Sequence, residues 1–304
     1  MSTIRKKEGI TMKGAILINA YKVYDSVWNQ VERLKEEFHA YQIEIDVISN
    51  AEITAFIANQ NIETTLKPYD FIINLDKDIY IARMIEKAGI PLFNSSYGLE
   101  ICDDKMLTYI ALANLSIPMP KTISAPLCYK EEKENHFIEN VEKMLSYPLV
   151  AKECYGSLGQ QVYLIENHEE LLKIEKKLLY KPHLYQEYVA SSKGKDVRVV
   201  VVGNHAIAWM ERYSLDDFRS NLAQGGHARP VEISHEFIFL AEKISKELHL
   251  DYCGIDFLYG KNGEPILCEV NSNAFFKGIE NISHVNVAKC LVEHILKKLT
   301  VDKK

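Results

Sequence analysis

Three oxygen-bearing side chains near the end of the chain have types and a spacing that could bind a divalent metal ion. Asp256 lies in one apolar run, Glu269 and Asn271 lie in the next, and Asn262-Gly263 between the runs is a strong hairpin-turn signal. Side chains alternate along a strand with a period of two, so a two-residue loop puts all three on one face. Facing carboxylates repel each other unless a positive charge lies between them, and Mg²⁺ prefers hard oxygen ligands. A solvated acidic face is the alternative interpretation.

The position of the turn decides how the two strands pair. A loop at Lys261-Asn262 pairs Asp256 with Leu267, whereas a loop at Asn262-Gly263 pairs Asp256 with Glu269. A loop with an odd number of residues would put Asp256 on the opposite face. The metal-site hypothesis therefore depends on the turn.

Two further segments could bind phosphate. Lys152 ends an apolar run and precedes a turn with Gly156 and Gly159, where the missing Cβ atoms let backbone N–H groups approach phosphate oxygens. A plain hairpin turn is the alternative there. A cationic cluster also surrounds the hydrophilic loop 219–226, and the guanidinium fork suits phosphate and carboxylate, although a single arginine is more often a surface residue. The cluster consists of Arg198, Arg212 and Arg219.

The composition excludes several classes of protein. The 304 residues are 47% apolar and 26% charged, which is typical of an ordinary globular protein of about two domains. Because 42 acidic residues outnumber 36 basic ones, no overall positive field attracts nucleic acid or an anionic membrane. No apolar stretch is long enough to span a bilayer, and residues 1–14 lack the apolar core of a secretory signal.

The cysteines indicate the compartment. Six of them are scattered without a C-x-x-C pair or a histidine spacing that would build a zinc site. We therefore expect free thiols in a reducing, cytoplasmic setting, with no nucleic-acid partner and no membrane partner.

The first part of the chain alternates between strands and helices. Apolar runs predict strands over 14–19, 43–48, 71–75 and 90–94. Helical stripes lie between them, one formed by Val27, Val31, Leu34 and Phe38 and another by Ile81, Ile85 and Ala88. This alternation predicts a small parallel α/β domain over about residues 13–97. No G-x-G-x-x-G turn follows the first strand, which argues against a nicotinamide oxidoreductase.

The second part is predicted to be richer in strands. A helix with Met106, Ile110 and Ala113 on one face is followed by a proline-bound extended segment and a charged surface helix over 130–146. Strands in close succession predict an antiparallel sheet over 148–152, 162–165, 183–189, 197–202 and 206–210. Two helices flank the hairpin 253–271, with apolar stripes Phe237, Leu240, Ile244, Leu248 and Val285, Ala288, Val292, Ile295, Leu299. The domains should pack intimately.

Seven motifs in a fixed order are far less probable by accident than any one of them. They are Asp104-Lys105, Tyr147-Pro-Leu-Val-Ala-Lys152, Gly156-x-x-Gly159, Gln186-Glu-Tyr-Val189, Asp196-x-Arg198, Asp217-Phe-Arg-Ser-Asn221 with Gly225-Gly226, and Gly254-Ile-Asp256 with Glu269-Val-Asn271 and Gly278-Ile-Glu280. In this order the chain resembles the ATP-grasp superfamily over about residues 98–284. Within it, the chain is most similar to the RimK-type α-L-glutamate ligases.

The resemblance implies a fold of mixed α/β and α+β class. An N-terminal parallel α/β domain would be followed by a two-lobed ATP-grasp fold. The expected divisions are a polar tail over 1–12, the N-terminal domain over 13–97 and the ATP-grasp domain over 98–304, with a lid lobe at about 118–186 and a C-terminal lobe at about 187–304.

The same resemblance implies a site for ATP. Phosphates would be held by Lys105 and Lys152, and a mobile lid would close over them; its residues are Gly156, Ser157 and Gly159. Adenine would lie between the lobes against Glu187, Tyr188 and Val189, and Asp196 would bond the ribose. Further ATP-binding residues would be Arg198, Arg219, Ser220 and Asn221, the last three reaching the phosphates and the reacting carboxylate.

Metal and catalytic groups are implied in the same way. Asp256, Glu269 and Asn271 would carry Mg²⁺, as two ions that share Glu269, with Mn²⁺ as a substitute. Catalysis would fall to Arg219, Arg212 and Lys152, with no covalent nucleophile.

The implied reaction is ATP-dependent ligation of a carboxylate to an amine through an acyl phosphate. The partners would be a small-molecule, peptide or protein carboxylate and an amine, which could be glutamate or another amino acid; a homo-oligomer is left open. A carboxylate–thiol ligase or a carboxylate kinase would use the same ATP face. A non-catalytic ATP-binding module would need no complete metal set.

The chain departs from the family pattern after Asn271. The family typically has a small residue, Pro and Gly there, whereas this chain has Ser-Asn-Ala followed by Phe275 and Phe276. The two rings either wall an apolar or peptide-like acceptor or pack against the final helix.

Overall fold

A four-stranded parallel sheet organises the N-terminal part of the computed structural model, which describes residues 12–21, 23–130 and 136–301. The strand order is β2-β1-β5-β6, and the inner strands are apolar and buried because helices cover both faces. A small hairpin, β3-β4, was not predicted from the sequence. The elements are β1 (Lys13–Ile18), α1 (Asp25–Ala40), β2 (Glu44–Ser49), β3 (Ala55–Ala58), β4 (Asn61–Thr64), β5 (Phe71–Asn74), α2 (Ile79–Lys87) and β6 (Leu92–Phe93).

A second, antiparallel sheet of order β7-β10-β8-β9 lies in the part of the chain expected to be the lid lobe, and we keep that name for it. Two short helices precede this sheet in the chain, one helix follows β7 and another follows β9. Helices α3 and α6 had no counterpart in the sequence prediction. The elements are α3 (Ser96–Asp103), α4 (Lys105–Leu112), β7 (Thr122–Ser124), α5 (Phe137–Met144), β8 (Leu149–Glu153), β9 (Val162–Ile165), α6 (His168–Leu178) and β10 (His183–Glu187).

A five-stranded antiparallel sheet of order β13-β12-β11-β14-β15 forms the C-terminal lobe. Helix α7 covers one face through the predicted stripe, and α8, which was not predicted, and α9 pack towards the N-terminal sheet. The elements are β11 (Lys195–Val202), β12 (His205–Tyr213), β13 (His227–Arg229), α7 (His235–Glu247), β14 (Tyr252–Tyr259), β15 (Pro265–Asn271), α8 (Phe276–Ser283) and α9 (Val287–Val301).

The face of α4 that carries Met106, Ile110 and Ala113 is not its buried face. Ile110 is 58% exposed, and the buried residues are Thr108, Tyr109 and Leu112. Thr108 satisfies its hydroxyl by donating to the Ile101 carbonyl, and Tyr109 donates to the Cys268 carbonyl at 2.6 Å. A polar residue with a local partner can therefore take a core position that apolar spacing assigns elsewhere.

The predicted surface helix over 130–146 is shorter than expected. It covers Phe137–Met144 and buries Val141, while residues 131–135 lie outside the described part of the chain, as do residues 1–11 of the predicted tail. The predicted final helix begins after Val285, at Val287. Among the described residues, no helix is both long and apolar enough to cross a membrane.

One hydrophobic core joins the N-terminal sheet to the C-terminal lobe. Phe38 and Phe71 belong to the same buried cluster as Phe276 and Val292. Polar bonds cross the same boundary: Asn94 donates to the Tyr252 and Ser272 carbonyls, both at 2.7 Å. The N-terminal domain is therefore packed against the C-terminal lobe as intimately as expected.

Candidate active site

Direct cross-strand pairs on one face of the five-stranded sheet bring the predicted charged residues together. Asp196 on β11 pairs with Arg212 on β12, and Arg198 on β11 pairs with Asp256 on β14. Asp256 pairs in turn with Glu269 on β15. Directly paired residues project from the same face, so acidic and basic side chains of four neighbouring strands share one face of the sheet.

The hairpin reaches its register by a different route from the predicted one. Its loop is the five-residue segment 260–264, so the prediction of a two-residue loop is wrong. A β-bulge leaves Cys268 without a cross-strand partner and shifts the register by one residue. A five-residue loop alone would put Asp256 and Glu269 on opposite faces. The extra residue of the bulge shifts the register by one more position, so Asp256 faces Glu269, as in the second predicted register. Because of the bulge, adjacent Cys268 and Glu269 both line one pocket.

A cleft between the lid sheet and the five-stranded sheet contains most of the predicted site. It holds about 880 Å³ of space, including its open mouth. Its lining includes all the predicted ATP-binding, catalytic and metal residues except Arg198 and Asn271. Both of these exceptions hydrogen-bond to Asp256, which does line the cleft.

Arg212 is the buried centre of the charged face. Its Nε and Nη2 atoms donate to Asp196 at 2.8 and 2.6 Å, and Nη2 lies 2.8 Å from Asp256 Oδ2. Burial works against the charge, but the two carboxylates outweigh burial and raise the pKa of Arg212. Arg212 therefore presents a fixed positive charge held by two anions.

Both carboxylate oxygens of Asp196 are already engaged. Besides Arg212, Asp196 accepts a hydrogen bond from Ser220 Oγ at 2.5 Å. These hydrogen bonds let Asp196 orient Arg212 and Ser220, and its expected contact with the ribose stays a prediction.

Two lysines face the charged sheet from the other side of the cleft. Lys105 follows Asp104, which caps α4, and its Nζ lies 3.4 Å from Glu269 Oε1 and donates to the Gly156 carbonyl at 3.0 Å. Lys152 is buried, with Nζ 4.0 Å from Cys268 Sγ. Burial opposes its charge, but Cys268 and the other neighbouring acidic groups outweigh burial and raise the pKa of Lys152. Both ammonium groups are therefore available to anionic phosphate.

The glycine turn of the lid lobe is docked onto loop 219–226 of the C-terminal lobe. Arg219 Nη1 donates to the Gly159 carbonyl at 2.6 Å, and Gln224 Nε2 donates to the Leu158 carbonyl at 3.2 Å. Gly159 has φ +72°, and a Cβ there would lie 2.5 Å from Asn221 Oδ1, so the turn requires glycine. These contacts connect the two lobes across the mouth of the cleft, and we call them the lid clasp.

Asp217 orients the arginine of the lid clasp. It accepts from Arg219 Nη2 at 2.7 Å and from the Arg219 backbone N–H at 2.8 Å. The hydrogen bond to Arg219 lowers the pKa of Asp217 and raises that of Arg219. Gln224 was not among the predicted site residues, because a lone glutamine in a polar loop carries no motif signal.

The comparison with known protein families decides the classification. The model of the RimK-like ATP-grasp domain matches residues 102–295. The chain belongs to the RimK-like ATP-grasp family. This result confirms the resemblance stated from the motifs, and with it the classification as an ATP-grasp ligase.

Relatives and a solved structure agree with this assignment. A probable alpha-L-glutamate ligase of Vibrio vulnificus is 31% identical over 304 residues, covering 94% of this chain and 96% of the relative. Human N-acetylaspartylglutamate synthase A is 33% identical over 226 residues, which span 74% of this chain but 57% of that protein. The RimK-domain ATP-grasp protein of Sphaerobacter thermophilus superposes with a TM-score of 0.70 at 19% identity, over 93% of this chain and 99% of that one. The ATP-grasp fold is confirmed.

The residues predicted to hold adenine lie at the end of β10 in this ATP-grasp cleft. Glu187 is bound to the start of β7 in both directions: its N–H donates to the Lys121 carbonyl at 2.9 Å, and its carboxylate accepts from the Lys121 N–H at 3.3 Å. The Tyr188 ring meets Phe218 edge-on, with centroids 6.5 Å apart. Tyr188 Oη is a buried atom without a hydrogen-bond partner among the described residues. Together with Leu258, this end offers apolar walls and an unsatisfied polar atom.

The donor set of the predicted metal site fits a hard cation in chemical type. Asp256 and Glu269 supply carboxylates, and Asn271, which donates to Asp256 at 3.3 Å, supplies an amide oxygen. Among the described residues, no cluster of three or more His, Cys, Asp or Glu side chains is placed to hold a metal. A metal ion here would therefore take its remaining ligands from phosphate and water.

The rings that depart from the family pattern pack into the core. Phe276 is fully buried and meets Tyr252 edge-on, with centroids 5.3 Å apart. Phe275 is partly buried against the same cluster, and neither ring lines the cleft. Of the two predicted roles, the structure supports packing.

Proposed function

We propose that this protein is an ATP-dependent carboxylate–amine ligase that forms an amide bond through an acyl phosphate. The observation that carries the proposal is that Lys105, on α4 before the lid sheet, and Lys152, on β8 of the lid lobe, line a single cleft with Asp256 and Glu269 of the C-terminal lobe. Charges of both signs around a cleft closed by a glycine turn suit phosphoryl transfer.

The cleft has separate ends for the base and for the phosphates. Leu258, Val150 and the Tyr188 ring offer a planar, apolar environment for adenine. The triphosphate would extend towards Lys152 and the glycine turn at Gly156, which both line the cleft.

Asp256, Glu269 and Asn271 would hold Mg²⁺ beside the phosphates, and we propose two ions that share Glu269. When bound, such ions neutralise the oxygens of the transferring phosphoryl group.

The residues of this chain then have defined tasks. An oxygen of the acceptor carboxylate attacks the γ-phosphorus and ADP leaves; the amine nitrogen then attacks the carbonyl carbon, and phosphate leaves with the oxygen that bridged it. Arg212 and Lys152 hold positive charge near the transferring group, and Arg212 needs no reorganisation because Asp196 and Asp256 already fix it. Acyl phosphates react with water, so the lid clasp excludes solvent while the intermediate exists.

Glutamate is the amine that the relatives favour. The names alpha-L-glutamate ligase and N-acetylaspartylglutamate synthase both contain glutamate. We therefore propose an amino acid, and glutamate first, as the incoming amine, with a small-molecule or peptide carboxylate as acceptor.

The experiment is a screen for acceptor-dependent ADP release with Mg·ATP, glutamate and a panel of carboxylates, followed by product mass. We expect a product heavier than the acceptor by the mass of the amine minus water. Glu269→Gln should reduce the rate by about 10²-fold or more, because it removes a metal-binding charge. Glu236→Gln, which changes an exposed carboxylate of α7, serves as the control. Phosphate transfer without a condensed product under every pairing would contradict the proposal.

A further inference from the structure

Both carboxylate oxygens of Asp256 already have partners. Arg198 Nε and Nη2 donate to its two oxygens at 2.7 and 2.8 Å, and Arg212 and Asn271 bond to Oδ2 as well. The side chain is almost completely buried. Any cation that coordinates Asp256 therefore competes with two guanidinium groups.

The fit of Arg198 to Asp256 is built into the sheet. The two residues are direct cross-strand partners, so the guanidinium spans only one strand spacing. Arg198 also lies against Gly254, where a Cβ would come within 3.4 Å of Nε. A bidentate pair at this spacing is stronger than a single ionic contact.

The other predicted metal carboxylate also has a cation. Glu269 lies 3.4 Å from Lys105 Nζ. Four cationic side chains of the described residues lie around the two carboxylates: Arg198, Arg212, Lys105 and Lys152. Three acidic side chains oppose them, namely Asp256, Glu269 and Asp196. A free divalent cation approaching this site therefore meets a net positive charge, whereas a polyphosphate is attracted to it.

We propose that Arg198 is a resident counter-ion that keeps free divalent cations off Asp256, so that the metal enters only together with nucleotide. The inference rests on the proposed function and adds a role for Arg198. Nucleotide phosphates supply the oxygens that the metal lacks, and their negative charge compensates the guanidinium when it leaves Asp256. Arg198 thus acts as a positioning residue that couples the two binding events.

The test uses Mn²⁺ as the probe and the non-hydrolysable analogue AMP-PNP as the nucleotide. Binding of Mn²⁺ alone is measured by the loss of the free-ion EPR signal, for the wild type and for Arg198→Gln. We expect Arg198→Gln to bind Mn²⁺ alone about ten-fold more tightly than the wild type or better, since it removes the competing charge. Arg198→Lys, which keeps the charge, should exclude Mn²⁺ as the wild type does.

A matched control and the opposing outcomes complete the test. Arg83→Gln removes an exposed arginine of the N-terminal domain and should leave Mn²⁺ binding unchanged. Circular dichroism and the melting temperature verify that each variant is folded. If Arg198→Gln does not fold, the inference is tested by Mn²⁺ binding to the wild type and to Arg198→Lys, each with and without AMP-PNP. Wild-type protein that binds Mn²⁺ as tightly without AMP-PNP as with it would overturn the inference, and so would a folded Arg198→Gln with wild-type affinity. Failure of the wild type to bind AMP-PNP would instead contradict the proposed function.

Discussion

Two buried side chains of the cleft stay charged because neighbouring groups raise their pKa values. Lys152 and Arg212 keep their charges in buried positions, where burial alone would favour the neutral form. Arg212 is held by Asp196 and Asp256, and Lys152 lies beside Cys268, so both groups are placed before any substrate arrives. Preorganised charge of this kind is the main contribution that a protein makes to phosphoryl transfer.

Hydrogen-bond partners also outweigh burial at Glu175, away from the cleft in the lid lobe, and this gives a pH-dependent prediction. Glu175 accepts from Tyr185 at 2.5 Å and contacts His183 at 3.2 Å. Burial tends to raise the pKa of Glu175, but these hydrogen bonds outweigh burial and lower it. A carboxyl whose folded-state pKa lies below its unfolded value stabilises the fold above the unfolded pKa, and this stabilisation is lost as pH falls through the folded pKa.

We therefore expect Glu175→Gln to lower the free energy of unfolding by about 2 kcal/mol at pH 7. The difference from the wild type should shrink as pH falls below about 4, where an unfolded glutamate is itself protonated. Urea unfolding at several pH values measures it. A difference that is constant from pH 7 to pH 3 would show that the charge of Glu175 has no part in stability.

Elements place these side chains through register and turns. The bulge at Cys268 aligns Asp256 with Glu269, and the lid clasp holds the glycine turn against loop 219–226. Both features are local backbone arrangements between segments that are distant in sequence.

Gln224 allows the contribution of the lid clasp to be tested, because its Nε2 atom donates to the Leu158 carbonyl across the two lobes. We expect Gln224→Ala to speed hydrogen exchange of the backbone amides over 156–161 by about 2- to 10-fold, corresponding to the loss of one net hydrogen bond. Exchange mass spectrometry in the presence of AMP-PNP measures it, and peptides of the N-terminal sheet act as the internal control. Unchanged exchange in the turn would mean that Gln224 does not hold the lid.

Sequence reasoning recovered strands and charge positions better than turns and short helices. Strong apolar runs such as β11 and β14 were predicted, and the pairing of Asp256 with Glu269 was one of two predicted registers, but the two-residue loop used to derive both registers was wrong. A bulge leaves no periodic signal, and α8 and the buried face of α4 depend on tertiary contacts such as those of Phe276 and Tyr109. The ordered motifs identified the family because most of their residues line the cleft, and they can be found without knowing where each helix or strand begins.

At the scale of the whole molecule, the N-terminal domain and the C-terminal lobe share one core. Arg33 of α1 contacts Glu280 of α8 at 3.3 Å, and Gln30 donates to the Ala274 carbonyl at 2.9 Å. Phe276 and Val292 belong to the cluster that also contains Phe71. The loop after Asn271 therefore takes its position from the N-terminal domain.

We expect the full chain to unfold in a single calorimetric transition, and a fragment of residues 98–304 to lose fixed tertiary structure. Removing the N-terminal domain would expose the apolar faces of α8 and α9, which the fragment cannot cover. Differential scanning calorimetry and near-ultraviolet circular dichroism measure the two effects. A fragment that melts cooperatively and binds AMP-PNP like the full chain would contradict this expectation.

The most direct test of the ligase account follows an oxygen atom. The acceptor carboxylate found by the screen is enriched in ¹⁸O, and the phosphate released during amide formation is weighed by mass spectrometry. An acyl-phosphate route predicts one ¹⁸O atom in each phosphate, because the oxygen that attacks the γ-phosphorus leaves with it. Amide formation that releases only unlabelled phosphate would contradict the account.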